Sequence, residues 1–327
     1  MRGWQVHELG EPGDVLTWHD ALPDPEPGPG QVLVRVHVAA CNFPDILLCQ
    51  GKYQERPPLP FTPGLEIAGE VVAAGEGAGA GIGDRVIGIP PVGRGGFAEL
   101  ALLDDAATLS WPEGMSPAQA AGMLIAYQTG YCALHHRGRL QPGETLLVHG
   151  AAGGVGSAAV QLGKAAGARV IGTAGGPDKC KVARSAGADE VIEYSSEDLV
   201  ARVKELTGGH GADAIFDPIG GDVFDASRRV AAFEGRILVI GFVSGRFADA
   251  PTNHILVKNY EVVGVHWGYY RQLDPQKIPQ WQDALNALWA RRKIDPLVGV
   301  ELPLDQAPEA LRRLGSRAST GKVVLIA

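Results

Sequence analysis

The chain has 327 residues, 45% hydrophobic and 20% charged, with 45 glycines and 23 prolines; that length exceeds what one hydrophobic core usually supports, and the composition excludes a disordered chain and predicts two loop-rich globular domains. A formal net charge of −8 without any block of Lys or Arg argues against nucleic acid and anionic membrane surfaces as partners, since both demand a basic field. The four cysteines, Cys41, Cys49, Cys132 and Cys180, are scattered without a CxxC pair, which speaks against structural zinc and a disulfide scaffold and fits a reducing compartment.

The opening MRGWQVHELG has no apolar signal-like stretch, and runs such as LLVH and ILVI are far shorter than the roughly 20 residues that span a bilayer, so a cytosolic protein without a membrane partner is expected. The first third alternates at period two, as in VLVRVHV from Val32 to Val38, and is broken by PEPGPG, RPPLPFTPG and GEGAGAGIGD. Short strands joined by turns give that pattern, and residues 1–124 read as a mostly β domain.

From about Gln141 the rhythm changes to a strand (Thr145 to His149), a Gly turn, a small-residue helix (Val155 to Ala166) and a strand (Arg169 to Thr173). Later strands are predicted over Ala214 to Asp217 and Arg236 to Ile240, with helices beginning near Asp178, Ser196 and Asp222. Strand and helix in alternation predict a parallel, doubly wound sheet with helices on both faces, here over residues 125–265. The tail, 266–327, carries a helix near Pro279 to Arg292, a strand, a helix near Ala307 to Leu314 and the strand KVVLIA; too small to fold alone, it is expected to return to the β domain and form a cleft.

The strongest local signal is TLLVHGAAGGVGSAAVQLGKAAGARVIGT, in which an apolar strand feeds Gly150, Gly153, Gly154, Val155 and Gly156 and then a helix. Gly153 suits close approach of backbone to a pyrophosphate, Gly156 suits close helix packing, and free N–H groups at a helix start hold an anion. His149, just before the turn, reads as a strand-end residue. An NAD site places an acid about 20 residues beyond such a turn, on the ribose 2′-hydroxyl. Here GTAGGPDK puts Thr173, Ala174, Gly175 and Gly176 at that place, with Lys179 following, which favours NADPH. Asp178 reads as a helix cap.

These segments, with AACNFPDILLCQGKY, PFTPGLEIAGEVVAAG, GDRVIG, GGFAEL, LIAYQTGYCAL, IFDPIGG, ILVIGFVSG and GKVVL, resemble zinc-independent medium-chain dehydrogenases/reductases of the quinone oxidoreductase, or zeta-crystallin, group over nearly the whole chain. The resemblance implies an α/β architecture of a GroES-like mostly β domain and a Rossmann domain, with VVGVHWG as an edge strand of the latter's sheet and homodimers formed by pairing of such edges, or tetramers beyond them. It implies Asn42, Asp45 and Tyr53 on the substrate side and Thr129 on the nicotinamide carboxamide. It also implies backbone around Gly241, Phe242 and Val243 on the ring's other side, Tyr194 and Lys179 on the 2′-phosphate, and Lys322 within reach of the cofactor. The zinc-ligand places of metal-using relatives correspond to Cys41, Leu65 and Ile125, with Glu66 adjacent; a catalytic zinc needs three protein ligands, so no metal is expected.

The residues alone leave alternatives open. Asn42 suits either a substrate contact or a turn, Asp45 a helix cap, and Tyr53 or the trio Trp267, Tyr269 and Tyr270 plain packing. The function that follows is hydride transfer from NADPH to a quinone or α,β-unsaturated carbonyl compound. The rivals are an enoyl-thioester reductase, a non-catalytic NADPH-binding crystallin-like or adaptor protein, and a zinc alcohol dehydrogenase.

Overall fold

The computed structural model describes residues 1–327 and divides into two units, Met1–Ile125 with Val298–Ala327, and Ala126–Leu297. The first contains β1 (Gly3–Val6), β2 (Leu16–His19), β3 (Gln31–Cys41), β4 (Ile67–Ala74), β5 (Arg85–Gly88), β6 (Leu100–Asp104) and β7 (Thr108–Ser110). Alternation along β3 sends Val32, Val34 and Val36 into a core with Ile67, Val71, Phe97 and Leu103, while Arg35 faces out.

The second unit holds β8 (Thr145–Val148), β9 (Arg169–Ala174), β10 (Glu190–Glu193), β11 (Ala212–Asp217), β12 (Ala231–Val239) and β13 (Glu261–Gly264). All pair in parallel, in the order β10-β9-β8-β11-β12-β13. That is the doubly wound Rossmann order, and the order in which strands are added reverses between β8 and β11, the place where such sheets bind dinucleotides beyond their carboxyl ends. Leu147, Ile171, Ile215 and Ile237 line the core under the helices.

The chain then re-enters the first unit as β14 (Val298–Pro303), the helix Ala307–Gly315 and β15 (Lys322–Ile326). β14 and β15 pair in parallel, and β15 runs antiparallel to β3 with Val323 opposite Cys41.

Two boundaries differ from the sequence reading. The second unit extends to Leu297 rather than 265, because the helix Lys277–Ala290 buries Ile278, Trp281 and Leu285 there. Gln128 fixes it by donating to the Ile278 carbonyl (3.2 Å) and to Gln282 (3.0 Å). The strand read in VVGVHWG stops at Gly264, and a helix, Trp267–Leu273, begins where the Trp267 indole donates to Gln128 Oε1 at 2.9 Å. The helix Pro117–Tyr131, not anticipated from sequence, contains the boundary between the units and continues as a π-helical stretch, Cys132–Arg137. No helix is long and apolar enough to cross a membrane.

Candidate functional site

In the second unit β8 ends at Val148, Gly150 turns the chain at φ +63°, and Gly153 caps the helix Gly154–Ala165 in an extended conformation. A Cβ on Gly156 would collide with the Gly150 carbonyl, so the turn and helix approach too closely for any side chain there. A Cβ on Gly153 would meet only ordinary contact, so its absence leaves backbone exposed to a ligand rather than to protein. With no acid in its first turn, the helix presents the amides of Gly154, Val155 and Gly156 at its positive end. These residues fit a dinucleotide pyrophosphate.

At the end of β9, Gly175 and Gly176 (φ +83°) lead into the helix Pro177–Ser185. Tyr194, 52% exposed, lies over Gly175, where a Cβ would strike its ring and hydroxyl, and its N–H donates to the Ala174 carbonyl at 3.2 Å. Lys179 stands half-buried in the first turn of that helix. Gly176, not Asp178, is the cap; Asp178 pairs with Lys181 at 3.0 Å. Gly175, Tyr194 and Lys179 thus share one strand end, and no carboxylate occupies the two positions after β9.

Thr173 departs from its expected place at the cofactor. It is buried, and its hydroxyl bonds His149 Nδ1 at 3.2 Å, while His149 Nε2 bonds Ser227 at 2.8 Å. Ser227 donates its own proton to the Val223 carbonyl, so His149 carries hydrogen on Nε2 and accepts from Thr173; burial lowers its pKa and holds it neutral. His149 ties β8, β9 and the helix Gly221–Val230 together beneath the turn.

Beyond β12, the Val243 N–H donates to the Pro218 carbonyl at 3.1 Å, the Phe242 carbonyl accepts from Gly245, and the Phe242 ring meets Phe247 edge-on at 4.9 Å. The loop from Gly241 is therefore stiffened from within, and the Val243 amide proton is engaged by the Pro218 carbonyl. Asp217 secures the facing loop by accepting from Ile219 (2.8 Å) and Gly220 (2.9 Å). Thr129 is half-buried on the helix Pro117–Tyr131.

The first unit holds a buried polar cluster. Asn42 follows β3 and caps the helix Phe43–Cys49, in which Pro44 is tolerated because a first-turn N–H has no partner to lose. Its Nδ2 donates to Glu66 Oε2 (3.0 Å) and to the Ala40 carbonyl (3.2 Å), and its Oδ1 accepts from Lys322 Nζ (2.7 Å). Lys322 also pairs with Glu66 at 2.9 Å, and Glu66 Oε1 accepts from the Ile125 N–H at 2.7 Å. Lys322, expected within reach of the cofactor, is buried and bonded to Asn42 and Glu66. Asp45, expected on the substrate side, is wholly buried and accepts from the backbone of Asn42 (2.8 Å), Gly64 (3.0 Å) and Leu65 (3.1 Å). Burial pushes it up to about 7, against the pull of those three donors and of Lys322. Tyr53 is half-buried against this unit's core.

Among the zinc-ligand places, Cys41 is buried and neutral, its thiol pushed well up by burial, while Leu65 and Ile125 offer no donor. No group of three His, Cys, Asp or Glu side chains is placed to hold a metal. Glu66 is the residue the sequence reading undervalued, noted only beside a metal place; its signal was a lone acid inside the apolar run PFTPGLEIAGEVV, where a charge demands partners.

A GroES-like β unit that the C-terminal segment rejoins, and a Rossmann unit with a glycine turn, together define a medium-chain dehydrogenase/reductase. Residues 28–113 match the family described as "Alcohol dehydrogenase GroES-like domain", and residues 154–290 the one described as "Zinc-binding dehydrogenase". A Nematostella vectensis protein named "Quinone oxidoreductase-like protein 2 homolog" is 41% identical over 99% of this chain and 88% of its own. The human "Quinone oxidoreductase" is 32% identical over 100% and 98%. The solved structure of Escherichia coli quinone oxidoreductase complexed with NADPH superposes with a TM-score of 0.92 at 30% identity, covering 100% of both chains. The chain belongs to the quinone oxidoreductase family of medium-chain dehydrogenases/reductases.

Proposed function

We propose that the protein is an NADPH-dependent, zinc-free reductase that passes hydride to a quinone or an α,β-unsaturated carbonyl compound, an NADPH:quinone oxidoreductase activity. The observation that carries the reading is the end of β9, where Gly175, Gly176, Tyr194 and Lys179 stand in place of the acid that would hold an NAD ribose and repel a 2′-phosphate. The NADPH-bound Escherichia coli relative supports it. NADPH supplies the hydride, which leaves the protein to bind, orient and polarise.

The amides of Gly154, Val155 and Gly156 hold the pyrophosphate, with Gly153 giving it room; Tyr194 and Lys179 take the 2′-phosphate. Thr129 and the loop Gly241, Phe242 and Val243 flank the nicotinamide. Tyr53 borders the acceptor, and either it or water supplies the second proton. Asp45 acts indirectly, by clamping Gly64 and Leu65. Zinc chemistry lacks its ligands, since Leu65 and Ile125 supply none. The chain works as a homodimer in a reducing compartment such as the cytosol, where its four free, buried thiols persist.

The test is NADPH oxidation followed in the near ultraviolet across quinones, enones and enoyl-CoA thioesters, with NADH and added zinc as controls. Zinc-independent turnover of quinones or enones is expected. Turnover of the thioesters alone moves the assignment to an enoyl reductase, and tight NADPH binding without any turnover moves it to a non-catalytic role.

A further inference from the structure

We propose that the Lys322 ammonium, oriented by Glu66, is the hydrogen-bond donor that receives the oxyanion formed when hydride reaches the acceptor. The proposal rests on the reductase reading above and names a catalytic group for it.

The donors and acceptors of the buried cluster are nearly all committed to one another. An amide nitrogen has two N–H donors, and those of Asn42 are both engaged, by the Ala40 carbonyl at 3.2 Å and Glu66 Oε2 at 3.0 Å. Asn42 therefore has no N–H left to give a substrate oxygen. Rotating its amide to free one would set its NH2 against the Lys322 ammonium and its oxygen against Glu66, so both neighbours enforce the present orientation. Glu66, with three donors on its two oxygens and a fully buried side chain, is an acceptor already satisfied. Cys41 is neutral and only a weak donor.

Lys322 differs from all of these. An ammonium carries three N–H donors, and two are placed, on Asn42 Oδ1 at 2.7 Å and Glu66 Oε2 at 2.9 Å. Of the pair, the lysine side chain keeps 7% of its surface exposed and the glutamate none, so Lys322 is the member that is not wholly enclosed. The stem is fixed as well: Gly122 lies against its Cβ and Cγ, where a Cβ on that glycine would already crowd it. Because Glu66 balances the charge, the pair presents an oriented N–H rather than a mobile cation, the kind of preorganised donor that stabilises charge developing in a transition state.

The chemistry balances simply. Hydride adds to the electrophilic carbon, and the π electrons of the conjugated carbonyl move onto oxygen. The third N–H of Lys322 bonds that oxyanion, and a proton from Tyr53 or water completes the reduced product. Lys322 keeps its protons and Glu66 its charge. Asn42 becomes a positioning residue, holding the ammonium from the side.

The test uses the full chain. Because Lys322→Met alone would strand the Glu66 charge, the main variant is Glu66→Gln with Lys322→Met, with Lys322→Arg as the conservative change. The double variant should lose about 100-fold in kcat, while its NADPH Kd, read by fluorescence titration, stays within about threefold of wild type. Lys322→Arg should retain most of the activity. As a readout apart from turnover, 4-nitrophenol is titrated into the NADP⁺ complex: wild type should stabilise the phenolate, bringing its absorbance up at lower pH, and the double variant should not. Unchanged kcat with a Kd raised more than about tenfold would put Lys322 on a cofactor phosphate and overturn the proposal, as would an unchanged phenolate signal. A wild type that binds NADPH and reduces no acceptor removes the reductase reading itself, and this proposal with it.

Discussion

Asp45 sits where a carboxylate is costly and is nevertheless held by three backbone N–H groups. Burial wins, raising its pKa from the ordinary 3.8 to about 7. A raised folded-state pKa means that the native protein keeps a proton the unfolded chain has lost between those two values, so the contribution is fully present below 3.8 and disappears as pH rises through about 7. The expected slope is a loss of up to about 1.4 kcal/mol per pH unit across that window, flat above it. Asp45→Asn removes the titration: denaturant unfolding of wild type and variant should differ in slope between mildly acidic and neutral pH, and parallel curves would contradict the assignment. Gly156 gives a second test. In a helix, alanine gains about 1 kcal/mol over glycine by propensity, but here its Cβ would overlap the Gly150 carbonyl, and overpacking costs about 1 to 3 kcal/mol. Gly156→Ala should therefore lower Tm despite the better helix former and weaken NADPH binding at least about tenfold; a raised Tm with unaltered affinity would refute the close-packing argument.

The β9 end is read best as an element, since Gly175, Lys179 and Tyr194 act through one strand terminus. A charge-assisted hydrogen bond to phosphate contributes about 1.5 to 3 kcal/mol. Lys179→Glu, which replaces that donor by a repelling charge, should raise the KM for NADPH at least about tenfold and leave that for NADH nearly unchanged, with the gap shrinking in high salt. Equal effects on both cofactors would show that Lys179 does not meet the 2′-phosphate. The same strand shows why some of the site was legible in the sequence and some was not. The glycine turn was readable because strand, turn and helix each carry a local pattern. Thr173 was not, because β9 is buried on both faces and a continuous apolar run does not say which way a given side chain points. The helix Pro117–Tyr131 escaped for a related reason: AAGMLIAY is apolar all round and has no periodicity to detect. The Asn42, Glu66 and Lys322 cluster joins residues 256 and 280 positions apart, so only the lone buried acid hinted at it.

At the scale of the whole molecule, the six-stranded sheet ends in β13, which pairs with β12 on one side only. An unpaired edge is a template for another strand, and soluble proteins usually blunt it with charge or cover it. β13 has Glu261, but Val262 beside it is 36% exposed, and Leu256 (80%), Val257 (83%) and Phe233 (70%) stand on segments that pack at or near the same edge. An isologous dimer that pairs β13 with its copy would satisfy the edge and bury these side chains at once, since a two-fold axis brings each patch onto its own counterpart. Adding a like charge next to the axis is doubly unfavourable, because the partner supplies the same charge. Val262→Lys should accordingly convert a dimer to a monomer in light scattering at micromolar concentration, and should make Tm independent of protein concentration where wild type shows dependence. The active-site reading makes a separate demand. Asn42, Glu66 and Lys322 lie in the first unit and the glycine turn in the second, and β13 contributes to neither, so the monomeric variant should retain NADPH affinity. A wild type that is monomeric at those concentrations would leave the exposed edge without its proposed partner, and loss of cofactor binding in Val262→Lys would mean that assembly shapes the site.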